Sequence, residues 1–421
     1  MHTADRHEAG FKDRTRLADA VDALRSVVEP HGRVETVALA DADGRVLAED
    51  VTAARDVPHY DRAAMDGYAV RAEDTFGAGD RSPAILTETE GDVGPNEAVR
   101  VHTGSALPEG ADAVVMIEQV ARRATGRASG EERPASEQVE QRDGEIEVFS
   151  AVGEGGNVGP AGEDVEAAQH LYDAGHRLRP SDLGLLRATG VDSIPVFEKP
   201  DVAVIPTGEE LVDEDPGPGE VVETNGLTVS RLVERWGGES RYRDVVTDDE
   251  DALRDAIESD LDADVVVTTG GSSVGERDLV PDVVAEMGEV VVHGVALKPG
   301  HPVAFGVVED TPIVMLPGYP VACIINAVQF LRPATKWTGG LPLESHPSEE
   351  KTLSGKIRSE PGVRTFARVT VDGDTATPVR SSGSGILSSV ALADGWVEVP
   401  EGTEGYPAGE TVDVAYWEVL P

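Results

Sequence analysis

The stretch DVVVTTGGSSVGERD, Asp264 to Asp278, opens on three valines and closes on two carboxylates. Val265 to Val267 are β-branched and apolar without alternation, the pattern of a strand buried on both faces of a parallel sheet. The Gly270-Gly271 pair carries no Cβ, so backbone N–H groups there can close around an anion. Ser272, Ser273 and Gly275 extend the polar turn, and Glu276 and Asp278 set carboxylates beside it. The whole predicts a strand running into a loop that handles oxyanions and metal. Two further turns have the same setting: LKPGHP, Leu297 to Pro302, follows the run Val290 to Val292, and LPGYP, Leu316 to Pro320, follows Ile313 to Leu316. Turns at the carboxyl ends of successive strands are where an open α/β sheet places its ligand.

Working outward, strand, turn and helix repeat from Asp201. Val202 to Ile205 reads as a buried strand, Thr207 to Glu210 as its turn, and Gly226 to Trp236 as a helix closed by Gly237-Gly238. Tyr242 to Val246 is the next strand, with Asp248-Asp249 as its turn and Ala252 to Ser259 as a helix. Together with a helix from Ser181, taken as N-cap, to Thr189, this predicts a parallel-sheet α/β domain over 181–333. Before it, Leu17, Val21, Leu24 and Val28 fall at helical spacing, and the expected division is a segment 15–52 joined with 165–180, enclosing a β-rich inserted domain over 53–164. Within that insertion, 121–145 is rich in charge, Gly and Ser and reads as a surface loop. Past Pro333, short runs separated by Gly and Pro predict a small antiparallel β-barrel or sandwich over 334–421. The fold class is therefore α/β and β multidomain.

Composition sets limits on partners. Thirty-six basic residues against 79 acidic ones give a net charge of −43 over 421 residues, which repels phosphate backbones and acidic lipids and argues against nucleic acid or membrane as partner. The same excess matches the solvated acidic surface of halophilic proteins and predicts stability that rises toward high salt. Cys323 is the single cysteine, set in the apolar run VACIINAVQF, and reads as a small buried thiol. The polar start MHTADRHEAGFKDRTRL has no apolar signal core, which predicts a cytoplasmic location.

The chain carries further words in a fixed order: AAMDGYAV (Ala63 to Val70), HTGSALPEGADAVVMIE (His102 to Glu118), AGEDV (Ala161 to Val165), PTGEELV (Pro206 to Val212), ETNG (Glu223 to Gly226) and SGSGILSS (Ser382 to Ser389). With the TTGG loop, they resemble over almost the whole chain the molybdopterin molybdenumtransferases, which insert molybdate into molybdopterin in the last step of molybdenum cofactor synthesis. A TTGG loop alone is shared with the molybdopterin adenylyltransferases; the AMDGYA segment and the full order are more specific.

The resemblance implies a reaction between adenylyl-molybdopterin and molybdate, or tungstate, with release of AMP, and a molybdopterin-binding role for the α/β domain. Glu210, Asp248 and Asp278 follow successive strands and form the expected metal-binding or water-activating set, with Mg2+ as cofactor. Lys298 is expected to balance an anion. Thr207, Gly270, Gly271, Ser272, Gly275, Gly300, His301, Pro317 and Gly318 are expected to contact the substrate, with Ser384 and Ser388 at the rim. In the family, Asp66, Thr103 and Asp164 reach the crevice from a partner subunit, which implies a homodimer with a shared site. The chain departs from the pattern at His301, where a second lysine is common, at Tyr319, often asparagine, at Gly294, and at Gly159, Pro160 and Ala161 in place of arginines. Two alternatives stand beside this reading: a non-catalytic scaffold of the same fold, and adenylyl transfer to molybdopterin.

Overall fold

The computed structural model describes residues 14–122, 144–270, 279–379 and 385–419. At its centre is the six-stranded sheet to which the 264–278 stretch contributes, in the order Glu239–Tyr242, Asp201–Pro206, Val265–Thr269, Thr311–Leu316, Ala304–Val308, Glu289–His293. All five residues of Val265–Thr269 are buried, as the unalternating valines require. Five strands point the same way. The expected all-parallel sheet is interrupted by Ala304–Val308, which pairs antiparallel on both sides. Its cause is local: only Glu309 and Asp310 separate it from Thr311, and a two-residue connection can join antiparallel neighbours alone.

Helices cover both faces. On one, Val229, Leu232 and Val233 of the helix Asn225–Arg235 and the residues around Ile325 and Phe330 pack on Val202, Val204, Val265 and Val267. Leu17, Ala20 and Leu24 of the N-terminal helix Leu17–Arg25 join the same core. On the other, Leu253, Ile257, Val280 and Val284 meet Ala203, Val266 and Ile313. The helix Glu250–Glu258 starts where the Asp249 carboxylate accepts the Ala252 N–H at 3.0 Å, an N-cap adjoining the Asp248 position.

The boundary expected at 181 lies instead near residue 200. The strand Ser193–Phe197 pairs antiparallel with Val34–Ala38, and Ile194, Val196 and Leu186 share a core with Leu39, Leu47 and Leu178. Helix Pro180–Ala188 and that strand therefore belong to the N-terminal unit. Nor is Ser181 the N-cap of that helix. Arg179 occupies the position, and the buried Asp182 carboxylate accepts the Arg179 backbone N–H at 2.9 Å.

The segment between 53 and 164 forms a second six-stranded sheet around Tyr68, Val70, Leu86, Val115 and Ile146. Gly67 sits where a Cβ would lie 1.9 Å from the Val115 carbonyl oxygen, so the close pairing of Gly67–Val70 with Ala113–Met116 needs a glycine. Residues 123–143 of the expected 121–145 loop lie outside the described residues.

After residue 347 the chain closes a five-stranded barrel, because Arg364–Asp372 pairs with both Thr375–Pro378 and Gly395–Val399. It is not wholly antiparallel, since Ser348–Leu353 and Thr375–Pro378 run parallel. One pairing crosses the domain boundary: Leu297 and Lys298, from the loop between the Glu289–His293 and Ala304–Val308 strands, add to Arg364 and Thr365 of the barrel. Trp396 and Trp417 stack at 5.2 Å beside Phe366 along that seam. Cys323 is fully buried, and burial pushes its thiol pKa upward. No described helix is long and apolar enough to cross a membrane.

Candidate active site

Three strand ends and their turns build the crevice floor. Thr207 follows Asp201–Pro206 and bridges Val246, which draws the turn carrying Glu210 against the one carrying Asp248. Gly270, at the end of Val265–Thr269, adopts φ +153°, and a Cβ there would stand 2.0 Å from the Thr207 carbonyl oxygen. Only glycine lets these two turns meet so closely. Gly318 abuts Gly270 from the next turn, its built Cβ 3.5 Å from the Gly270 Cα, and the Asn225 side chain donates to the Gly318 carbonyl at 2.7 Å. Pro317 is buried beside it.

The carboxylates here are in an unfavourable environment. Burial first, and then the charges of Glu210 and Glu209, raise the pKa of Asp248 above its ordinary value. One of its oxygens, Oδ1, is buried with no hydrogen-bond partner among the described residues. The hydroxyls of Thr207 and Thr269 are likewise buried without partners among them. Buried polar atoms left so are uncommon in folded proteins, and a ligand, an ion or water at the crevice floor would satisfy these. Two carboxylates in electrostatic contact, one with an orphaned oxygen, suit a hard divalent cation.

The loop that carries Lys298 lies at the same end of the sheet and turns back to the helix Pro320–Asn326, where the Asn326 side chain donates to the Gly300 carbonyl at 2.9 Å. The Lys298 ammonium pairs with Glu360 of the barrel at 2.9 Å. Lys298, Gly300 and His301 line a cavity of about 560 Å³ between the α/β domain and the barrel, together with Lys356, Arg358 and Arg368. In a chain of net charge −43 this concentration of positive groups stands out. Burial lowers the pKa of Arg368, and burial, then Arg14 and Lys298, lowers that of His301. Sequence reasoning missed Lys356, Arg358 and Arg368. They fall in no motif, and only the pairing of Lys298 with Thr365 brings them to the loop.

Asp66 and Thr103 meet in the 53–164 sheet. Both the backbone N–H and the hydroxyl of Thr103 donate to Asp66 Oδ1 at 2.8 Å, which together hold the carboxyl below its usual range. His102 Nδ1 stands 3.7 Å from Oδ2. Asp164 is exposed, anchored by its backbone N–H to the Val57 carbonyl at 2.9 Å. Gly271, Ser272, Gly275, Asp278 and Ser384 lie outside the described residues; Ser388 opens the short helix Ser388–Ala391.

Comparison with known proteins places this geometry. Residues 15–190 match the MoeA N-terminal region (domains I and II), 203–337 a probable molybdopterin-binding domain, and 351–417 the MoeA C-terminal region (domain IV). A putative molybdopterin biosynthesis protein of Methanocaldococcus jannaschii is 36% identical over 409 residues, covering 93% of this chain and 94% of its own. The molybdopterin molybdenumtransferase of Bacillus subtilis is 33% identical over 416 residues, covering 93% and 92%. A crystal structure of the molybdopterin biosynthesis MoeA protein from Pyrococcus horikoshii superposes with a TM-score of 0.71 at 31% identity, covering 96% of this chain and all of that one. With its three regions matched in order and relatives aligned end to end, the chain belongs to the MoeA family.

Proposed function

We propose that this chain is a molybdopterin molybdenumtransferase that takes adenylyl-molybdopterin and molybdate, or tungstate, releases AMP and leaves the metal on the two dithiolene sulfurs. The observation that carries the reading is the presence, at one end of one sheet, of a carboxylate pair and a separate cationic cavity. A substrate with a pyrophosphate in its middle and a dithiolene toward one end is long enough to engage both.

The carboxylate side suits the phosphoanhydride. Asp248, buried beside Glu210 with its Oδ1 unpartnered among the described residues, fits a ligand for a divalent cation. Glu210 and Asp248 are the described residues that would hold Mg2+, with Asp278 as the third member of the set. Magnesium supplies charge neutralisation of the pyrophosphate when bound. Thr207, Gly270 and Gly318 offer hydroxyl and backbone groups along the floor between the two ends. The cationic side suits the oxyanion: Lys298, Arg368, Lys356 and Arg358 would orient molybdate, and His301 would add a donor that burial keeps mostly neutral. Asp66, Thr103 and Asp164 are assigned to the crevice of a second copy in a homodimer.

The test is AMP release from adenylyl-molybdopterin with purified protein. Wild type should release AMP and form molybdenum cofactor in equal amounts only when molybdate is present. A protein that binds the substrate yet releases no AMP in the presence of molybdate and Mg2+ would be a scaffold, and the proposal would fail.

A further inference from the structure

Arg332 and Lys336 sit one turn apart on the helix Arg332–Thr338 and are only 5% and 3% exposed. Their shared counter-charge is Glu344, whose Oε2 accepts from Lys336 at 3.1 Å while its carbonyl oxygen accepts from Arg332 Nη2 at 2.6 Å. Two buried cations thus face one carboxylate, and Arg177 adds further positive potential at Lys336. Arg332 Nε is buried with no partner among the described residues, and so is Nδ1 of His346. Burial and the two neighbouring cations hold the His346 pKa down at about 4, so its ring is neutral at physiological pH.

Arg332, Lys336 and His346 line one small cavity of about 10 Å³, together with Leu232, Trp236 and Trp417. The centre of a water-sized sphere can move over that volume, which leaves room for a single small monatomic ion. At its rim Arg235 and Glu418 are both exposed and cancel each other in charge, so the excess positive charge lies inside. An uncompensated buried cation is among the costlier features a fold can carry, and the cavity is where compensation would fit. We propose that this cavity binds one monatomic anion of chloride or bromide size, accepting hydrogen bonds from Arg332 and Lys336 and from a His346 ring protonated on Nδ1. The site joins the α/β helix to the 344–346 connection and to Trp417 of the C-terminal domain. Tetrahedral oxyanions are too large for it, which separates it from the Lys298 cavity.

The wild-type chain crystallised from sodium bromide, with data collected at the bromine edge, reads the site directly. The expected result is an anomalous peak within contact of Arg332 and Lys336. Thermal melts in potassium chloride and potassium gluconate at equal ionic strength form the second arm. Chloride should give a saturating upward shift of about 2–4 °C relative to gluconate, and that gap should close in Lys336→Met, where Arg332 and Glu344 alone are balanced. Density without an anomalous peak, meaning water, would overturn the proposal, as would a chloride gap of equal size in wild type and variant. The bromide arm needs no variant and decides even if Lys336→Met does not fold.

Discussion

The two ends of the crevice differ in charge and in how they are assembled. Glu210 and Asp248 come from turns that follow neighbouring strands of one sheet, and a single bridge, Thr207 to Val246, brings them together. The cationic cavity needs two domains: Lys298 and His301 come from the α/β loop, Lys356, Arg358 and Arg368 from the barrel. The first is rigid and short-range, with its electrostatic stress held in the fold. The second depends on how the barrel docks, through the Leu297–Lys298 addition to Arg364–Thr365 and the tryptophan seam. Chemistry assigned to the acidic end should therefore respond to point changes in kcat, and anion capture at the other end should respond in KM.

The largest expected effect concerns a third region, the Asp66–Thr103 pair. Asp66→Ala should lower AMP release by at least about 100-fold, and so should Asp248→Asn. If each crevice draws Asp66 from a second copy, mixing and reassembling the two inactive proteins in equal amounts restores about a quarter of wild-type activity, since half the dimers carry one intact site of two. Mixtures that stay inactive would confine each site to one chain.

Glu360 offers a milder perturbation of the cationic end. Its carboxylate holds the Lys298 ammonium at 2.9 Å in an exposed pair, so it competes with any oxyanion. Glu360→Gln should lower the KM for molybdate about two- to fivefold, the scale of a surface ion pair, with kcat unchanged. A raised KM would mean that Glu360 positions Lys298 and does not oppose the anion.

A smaller effect, on stability, tests the acidic end without substrate. Below the ordinary carboxyl value of 3.8, Asp248 is protonated in both folded and unfolded chains. As pH rises through its raised folded pKa, the fold is forced to carry the charge and loses stability relative to the unfolded chain. Asp248→Asn should therefore melt higher than wild type near neutral pH, with the gap closing on acidification. Mg2+ should raise the melting temperature of wild type and leave the variant where it is. A variant less stable than wild type at neutral pH would contradict the stressed-carboxylate description.

The contrast also explains what could be read from the sequence. Glu210 and Asp248 could be placed together because both lie in turns that come after strands of one sheet, and position along the chain translates into position at the sheet end. The cationic end was half legible: Lys298 and His301 sit in a proline- and glycine-marked turn, but Lys356, Arg358 and Arg368 are ordinary barrel residues until docking gives them a common direction. The same limit displaced the domain boundary. Ser193–Phe197 has one strand pattern whether it joins the central sheet or pairs with Val34–Ala38, and only long-range packing on Leu39 and Leu47 decides. The antiparallel course of Ala304–Val308 was not legible, because nothing in its composition records direction; the two-residue hairpin at Glu309-Asp310 fixes it.

The most direct test of a divided crevice is a molybdate titration of AMP release in wild type, Asp248→Asn and Arg368→Gln. A divided crevice gives a kcat loss at unchanged molybdate KM for the first variant, and a molybdate KM raised about tenfold with most of kcat retained for the second. Both variants losing kcat alone, or neither altering the molybdate dependence, would contradict it.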